Sequence, residues 1–172
     1  MSRDPDQRFD RLIVELGPAL RRLAQAYADG PADADDLFQD ICFALWRALP
    51  SFRGESSERT FAFRIGHNRG LTHRSRKRAV ASELDEDLRD RSPGPESLLT
   101  AALTRERLTA AVRQLSETQR QVVMLSLEGL TNGQIAEVLG VTENNVAVRL
   151  TRARKALREI LVARGEGDVE RP

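Results

Sequence analysis

The segment from Leu130 to Leu161, LTNGQIAEVLGVTENNVAVRLTRARKALREIL, leaves the chain little choice of local structure. Thr131 followed three residues later by Gln134 is a capping-box signature, which predicts a helix opening just after Thr131. Gly140 falls where that helix must end, a position that favours a residue tolerant of positive φ. Thr142 offers the next N-cap. Beyond it Val146, Leu150, Ala153, Leu157 and Leu161 recur at helical spacing and give one apolar stripe. Asn144, Asn145, Arg149 and Arg152 lie off that stripe, and Arg154, Lys155 and Arg158 extend the basic surface. A helix buried on one side and presenting amides and guanidiniums on the other suits a DNA major groove. Asn pairs bidentately with adenine, Arg with guanine, and further cations neutralise phosphates. The competing reading is an ordinary helical hairpin with a solvated charged face.

At 172 residues the chain suits one domain or two small ones, and 5% aromatic residues against 31% charged ones imply modest aliphatic cores. A net charge of +1 predicts no polyanionic partner by itself. The distribution is more informative: positive charge collects in Arg64–Arg78 and Arg149–Arg158, and acid in Asp33–Asp40 and Glu83–Asp90. Cys42 is the only cysteine, which excludes an intrachain disulfide and a cysteine-based zinc site. MSRDPDQRFDRL lacks the basic-then-apolar order of a signal peptide, and no apolar run approaches membrane-spanning length. The expectation is a soluble cytoplasmic protein with no membrane insertion.

Periodicity along the chain is helical throughout, with no alternating strand pattern. Helices are expected over 8–29, with Pro18 marking a break or restart, and over 33–49, with Asp33 as N-cap and Leu37, Ile41, Leu45 and Ala48 inward. A third is expected over 58–78 with Phe61, Ile65 and Leu71 inward. Residues 79–96 are acidic and contain Ser92-Pro93-Gly94-Pro95, which reads as a flexible linker. From Ser97 onward Leu99, Leu103, Leu108, Val112 and Leu115 form another stripe, and Ser116 with Gln119 makes a second capping box. The fold class is therefore all-α: two small helical domains, 1–78 and 97–172, the second carrying a helix-turn-helix.

The N-terminal domain holds a second unusual stretch, FRGESSERTFAFR from Phe52 to Arg64. Aromatic residues interleaved with arginines and small polar residues suit single-stranded nucleic acid, because rings stack on unpaired bases while cations take phosphates. Arg69, Asn68 and His73 continue the polar, basic surface. For Phe61 a core position is the stronger reading. Upstream, Asp36 and Asp40 share one helix face and in principle could hold a divalent metal, but no base or nucleophile lies near them. With Trp46 and Arg47, that face reads better as a protein-docking surface, so neither a catalytic residue nor a cofactor is expected.

DADDLFQDICFALWRAL, FRGESSERTFAFRIGHNRGLTHRSRKR and LSETQRQVVMLSLEGLTNGQIAEVLGVTENNVAVRLTRARKAL, in this order, resemble the extracytoplasmic-function (ECF) sigma factors of bacterial RNA polymerase. The resemblance covers nearly the whole chain. It implies that Asp36, Gln39, Asp40, Phe43 and Arg47 dock on the clamp helices of the polymerase's largest subunit. It implies that Phe52, Arg53, Ser57, Arg59, Thr60, Phe61, Phe63, Arg64, Asn68, Arg69 and His73 contact and help melt the promoter's −10 element. It further implies that Thr142, Asn144, Asn145, Arg149, Arg152 and Lys155 contact the −35 element, with that lobe resting on the flap of the second largest subunit. An anti-sigma factor is the implied regulator.

Two departures from the family pattern are visible. The melting helix usually opens with a tryptophan followed two residues on by an aromatic residue, where this chain has Phe61 and Phe63. The recognition helix often begins with a Gly-Thr pair and a lysine, where this chain has Asn144, Asn145 and Ala147. Asn144 and Asn145 are therefore the candidates for a distinct −35 preference. The competing functions are a homodimeric helix-turn-helix repressor, which leaves the Phe52–Arg64 segment without a role, and a metal-dependent nucleic-acid enzyme using Asp36 and Asp40.

Overall fold

The computed structural model describes residues 5–83, 108 and 110–167, and every regular element among them is helical. Three long helices form the N-terminal lobe: α1 (Pro5–Tyr27), α2 (Pro31–Ala48) and α3 (Glu58–Glu83), with a 3-10 turn at Leu49–Ser51. The C-terminal lobe contains the end of a helix at 110–114 (α4), then α5 (Glu117–Leu127), α6 (Asn132–Leu139) and α7 (Glu143–Gly167). Expected Leu99, Leu103 and most of the linker lie outside the described residues.

The first lobe closes around Leu12, Leu16, Leu20 and Leu23 of α1, Leu37, Ile41 and Leu45 of α2, and Phe63 of α3, each at most 2% exposed. Burying a side chain of this size contributes about 1.5–3 kcal/mol, so these residues dominate the lobe's stability. In the second lobe Val122, Leu125, Ile135 and Val146 are at most 1% exposed. Apolar contacts continue from one lobe into the other as one cluster, because α3 packs against α6 and α1 touches α5.

Local structure differs from expectation at several points. Pro18 does not break α1, which runs through it. Its missing N–H affects the carbonyl four residues earlier, on Val14, a residue 83% exposed, so water can take the place of the lost partner. Helix α2 opens at Pro31, not after Asp33: proline at the first helical position is pre-set for helical φ, and Gly30 is the cap residue without a side-chain bond. Asp33 is instead used between helices, as described below.

Helix α3 is rotated from the expected phase. Thr60, Ala62, Phe63, Gly66, His67 and Gly70 face inward, whereas Leu71 is 39% exposed and Phe61 and Ile65 are half-buried. The inward face is made of small and polar residues because α3 lies unusually close to α1. A Cβ on Gly70 would sit 2.5 Å from Tyr27 Cγ, and one on Gly66 2.8 Å from a Leu23 methyl. The helix also continues to Glu83, five residues into the segment expected as linker.

The helix-turn-helix forms from the anticipated signals. Thr131 N–H donates to Gln134 Oε1 at 2.9 Å, and Gln134 N–H donates to Thr131 Oγ1 at 3.3 Å. Gly140 adopts φ 66°, and the Val141 amide donates to the Ala136 carbonyl at 3.0 Å, closing the turn. Val146, Leu150 and Ala153 are buried, but Leu157 is half-buried and Leu161 is 37% exposed, so α7 runs on for about four turns beyond its last buried residue.

Candidate nucleic-acid interface

The start of α7 is organised as its sequence predicts. Thr142 Oγ1 accepts from the Asn145 N–H at 3.2 Å, capping the helix and leaving the Asn144 and Asn145 side chains exposed. Arg149 is half-buried, and Arg152 and Lys155 are exposed one and two turns further on. Asn145, Arg149 and Arg152 line a polar groove of about 360 Å³ with Ser116, Thr118 and Gln119 from the beginning of α5. Donors of an exposed helix start and two guanidiniums thus converge on one concave surface, an arrangement suited to phosphate and base edges together.

In the N-terminal lobe the Phe52 and Phe61 rings lie 4.5 Å apart at 41°, with the Arg8 guanidinium 5.0 Å from the first ring and Arg64 5.8 Å from the second. Both rings are half-buried, so one edge of this cation–ring stack reaches solvent. Arg53 is exposed in the loop before α3, and Asn68 and Arg69 are exposed along the helix. Ser57 is the cap of α3: its Oγ accepts from the Thr60 N–H at 3.0 Å and lies 2.8 Å from Thr60 Oγ1.

Two of the expected contact residues do not reach the surface. Phe63 is 0% exposed and Thr60 1%, because the inward rotation of α3 makes Phe63 a core side chain and ties the Thr60 hydroxyl to Ser57. Phe63 therefore cannot offer a ring face to a base without opening the lobe. His73 Nε2 lies 2.9 Å from Asp33 Oδ1, and Lys77 Nζ bonds Asp33 Oδ2 at 2.6 Å and Asp29 Oδ2 at 2.9 Å. Burial pushes the Asp33 carboxyl upward, but Lys77, the Asp29 amide and His73 outweigh it, and its pKa falls below the ordinary value. This cluster fastens the basic half of α3 to the start of α2.

The anticipated docking residues Asp36, Gln39, Asp40, Phe43 and Arg47 are all exposed on one side of α2. Phe43, 57% exposed, stacks on Trp46 with centroids 6.3 Å apart, and Arg47 lies 5.7 Å from the Phe43 ring. Trp46 Nε1 donates to Asp6 Oδ1 at 3.0 Å. An acid-rich helix with two stacked exposed rings has the chemistry that suits protein docking. Among the described residues no group of three or more His, Cys, Asp or Glu could hold a metal. Burial pushes the Cys42 thiol above its usual pKa, which makes its reactive thiolate scarcer.

Several residues that shape this surface carry no signal in the sequence. Glu117, Glu128 and Glu137 of the C-terminal lobe meet Arg22 and the arginines of α3. Tyr27 and His67 form a buried pair, Oη to Nδ1 2.5 Å, behind the basic helix. Nothing local in the chain pairs residues so far apart.

Residues 12–80 match the family model of Sigma-70 region 2, and residues 105–157 match that of Sigma-70, region 4. The chain is 31% identical over 169 residues to the RNA polymerase sigma factor CnrH of Cupriavidus metallidurans, covering 92% of this chain and 88% of that one. The chain belongs to the ECF sigma factors of RNA polymerase. It is also 28% identical over 161 residues to the ECF RNA polymerase sigma-E factor of Escherichia coli, 87% of this chain and 84% of that one. The solved structure of CnrH in complex with the cytosolic domain of CnrY superposes with a TM-score of 0.69 at 28% identity, over 92% of this chain and 90% of that one. Within the family, the half-buried Phe52–Phe61 pair falls in region 2 and the Asn144–Asn145 helix start in region 4.

Proposed function

We propose that this sigma factor binds core RNA polymerase through α2, contacts the −10 element through the loop and helix 52–73, and reads the −35 element through α7. The observation that carries the reading is that a single chain combines an exposed helix of amides and guanidiniums, a half-buried ring pair flanked by two arginines, and an exposed acid-rich helix face with stacked rings. The α7 surface is a helix with exposed amides and guanidiniums, suited to duplex. The Phe52–Phe61 stack flanked by Arg8 and Arg64 is suited to unpaired bases. Residues 1–78 then form the docking and melting domain, 97–172 the −35 domain, and the segment between them the tether. Residues 84–96 fully extended reach about 45 Å, more than the roughly 34 Å of one turn of duplex, so the lobes can engage separate elements.

Opening the duplex needs no catalytic group. Stacking of about 1–3 kcal/mol per base on Phe52 and Phe61 offsets the cost of unpairing, and Arg53, Arg59, Arg64 and Arg69 take the strand's phosphates, while His73 joins them only by leaving Asp33. Asp36, Gln39, Asp40, Phe43 and Arg47 contact the clamp helices of the largest subunit, and the C-terminal lobe rests on the flap. Control by an anti-sigma factor is part of the same reading, supported by the CnrH complex with CnrY.

Run-off transcription with purified core polymerase on a promoter library tests this. Core is expected to gain selective initiation at promoters sharing spaced −35 and −10 sequences. If the chain instead forms a stable dimer on a palindromic site and confers no selectivity on core, it is a repressor and the proposal fails.

A further inference from the structure

We propose that Arg8, in the first turns of α1, contacts a phosphate of the DNA strand, and that Glu58 is the residue that positions it. This role for Arg8 rests on the −10 role proposed for the loop and helix 52–73.

Glu58 opens α3 and divides its carboxylate between two arginines of α1. Oε1 accepts from Arg8 Nε at 2.7 Å, and Oε2 accepts from Arg11 Nη2 at 2.7 Å. The Arg8 guanidinium lies 5.0 Å from the Phe52 ring, and Phe52 lies 4.5 Å from Phe61. Arg64 closes the other end of the row, 5.8 Å from Phe61. The ring pair is thus bracketed by one cation from α1 and one from α3. Glu58 itself stands on a firm base. Ser57 Oγ accepts from the Thr60 N–H at 3.0 Å, and the Ser57 carbonyl accepts from the Phe61 N–H at 2.9 Å. A carboxylate in the first turn of a helix is also favoured by the helix dipole.

The way Arg8 is held suits more than a tie between helices. An arginine whose only task is an ion pair gains most by meeting both carboxylate oxygens, as Arg22 does on Glu128 at 2.6 and 2.7 Å. Arg8 gives Glu58 only its Nε, and among the described residues its two terminal nitrogens have no hydrogen-bond acceptor. Its side chain is 25% exposed, so the guanidinium keeps donors for an outside acceptor at the edge of the rings. Two arginines against one carboxylate leave the local balance positive. A planar cation already fixed beside a ring loses little freedom on binding, and a phosphate whose base rests on the rings fits its geometry. Such a contact fixes the strand's register without reading its sequence.

The test uses holoenzyme reconstituted from core polymerase and the full-length chain. It binds a fluorescein-labelled single-stranded 12-mer with the non-template −10 sequence of a promoter selected by run-off transcription. A scrambled 12-mer of the same composition is measured beside it, by anisotropy over a range of salt. Arg8→Gln is expected to weaken both strands about tenfold, and to make log affinity against log salt shallower by about 0.7, the amount for one single-strand phosphate. Arg8→Lys should keep the parent slope. Removing a negative charge should by itself tighten binding to a polyanion, an effect read from Glu55→Ala, an exposed position in the same loop. Glu58→Ala is expected instead to weaken both strands about threefold, because Arg8 must then be ordered by the strand. An unchanged slope in Arg8→Gln, even with a lower melting temperature of the free chain, makes Arg8 a structural tie and overturns the assignment. A loss confined to the selected strand makes Arg8 a reader of a base and overturns the phosphate contact. Glu58→Ala binding as tightly as Glu55→Ala overturns the positioning role. A parent holoenzyme that binds both strands equally overturns the −10 role itself, and the role of Arg8 falls with it.

Discussion

Gly70→Ala is the sharpest single test of how α3 is held. Exposed in a helix, this change would stabilise by about 1 kcal/mol, because alanine loses less backbone entropy. Here the new Cβ would lie 2.5, 2.7 and 2.8 Å from three carbons of the Tyr27 ring. Favourable carbon contacts lie at about 3.5–4.0 Å, so ring and helix must part by about 1 Å. Tyr27 has little room to retreat: it is 5% exposed, and its hydroxyl is 2.5 Å from Nδ1 of His67, which is itself 5% exposed. Overpacking a rigid core costs about 1–3 kcal/mol, and three simultaneous overlaps put this site at the top of that range. The expected net loss is about 2 kcal/mol. Urea denaturation followed by circular dichroism at 222 nm measures it directly. A double-mutant cycle with Tyr27→Leu supplies the control, because a smaller side chain vacates the space and the two losses should then be clearly less than additive. A Gly70→Ala protein as stable as the parent, or a strictly additive cycle, would refute the close approach of α3 to α1.

Burial pushes the His67 pKa below its ordinary 6.5, against a smaller upward pull from Glu117, so the unfolded chain takes up the proton first. Its contribution to stability is complete above about pH 6.5 and is lost as pH falls toward the lower folded value; melting curves of the parent between pH 7.5 and 5.5 should fall more steeply than those of His67→Gln, and parallel curves would contradict this. Asn144→Ala with Asn145→Ala should cost roughly 1–3 kcal/mol in binding a selected −35 duplex and little on a scrambled one, read by fluorescence anisotropy at fixed salt. Thr131→Ala removes the acceptor for the Gln134 N–H and should lower stability by about 1 kcal/mol in urea titrations, whereas Thr131→Ser should retain most of it.

The C-terminal lobe was legible in the sequence because its information is local. Capping boxes, Gly140 and the Val146–Leu150–Ala153 spacing each act within a few residues, and the structure realises them where they stand. Helix α3 was not legible for the opposite reason. Its inner face carries Thr60, Gly66, His67 and Gly70, chosen for closeness to α1, so apolar periodicity pointed to Leu71 and missed Phe63. Pro18 misled in the same way: its cost depends on whether the Val14 carbonyl meets water, which only the packed helix reveals. Most hidden were the partners of Arg59, Arg64 and Arg74, since Glu117, Glu128 and Glu137 lie across a seam that no pattern within either lobe encodes. Surface positions such as Asn144 and Arg152 were placed well, because a capped helix with one apolar stripe fixes what its other face presents.

Trp46 is the only tryptophan in the chain, and its indole N–H is fixed on Asp6 while its ring rests on Phe43. Biosynthetic replacement by 5-fluorotryptophan would therefore give a fluorine spectrum with a single resonance. That nucleus sits at the edge of the exposed acid-rich face of α2, half open to solvent and about one helical turn from Phe43. Any macromolecule settling there must change its shielding and line width. An unlabelled partner would contribute no fluorine signal of its own. This chain thus carries a silent-background beacon at one address, able to time the arrival of a partner separately from anything that happens along α3 or α7.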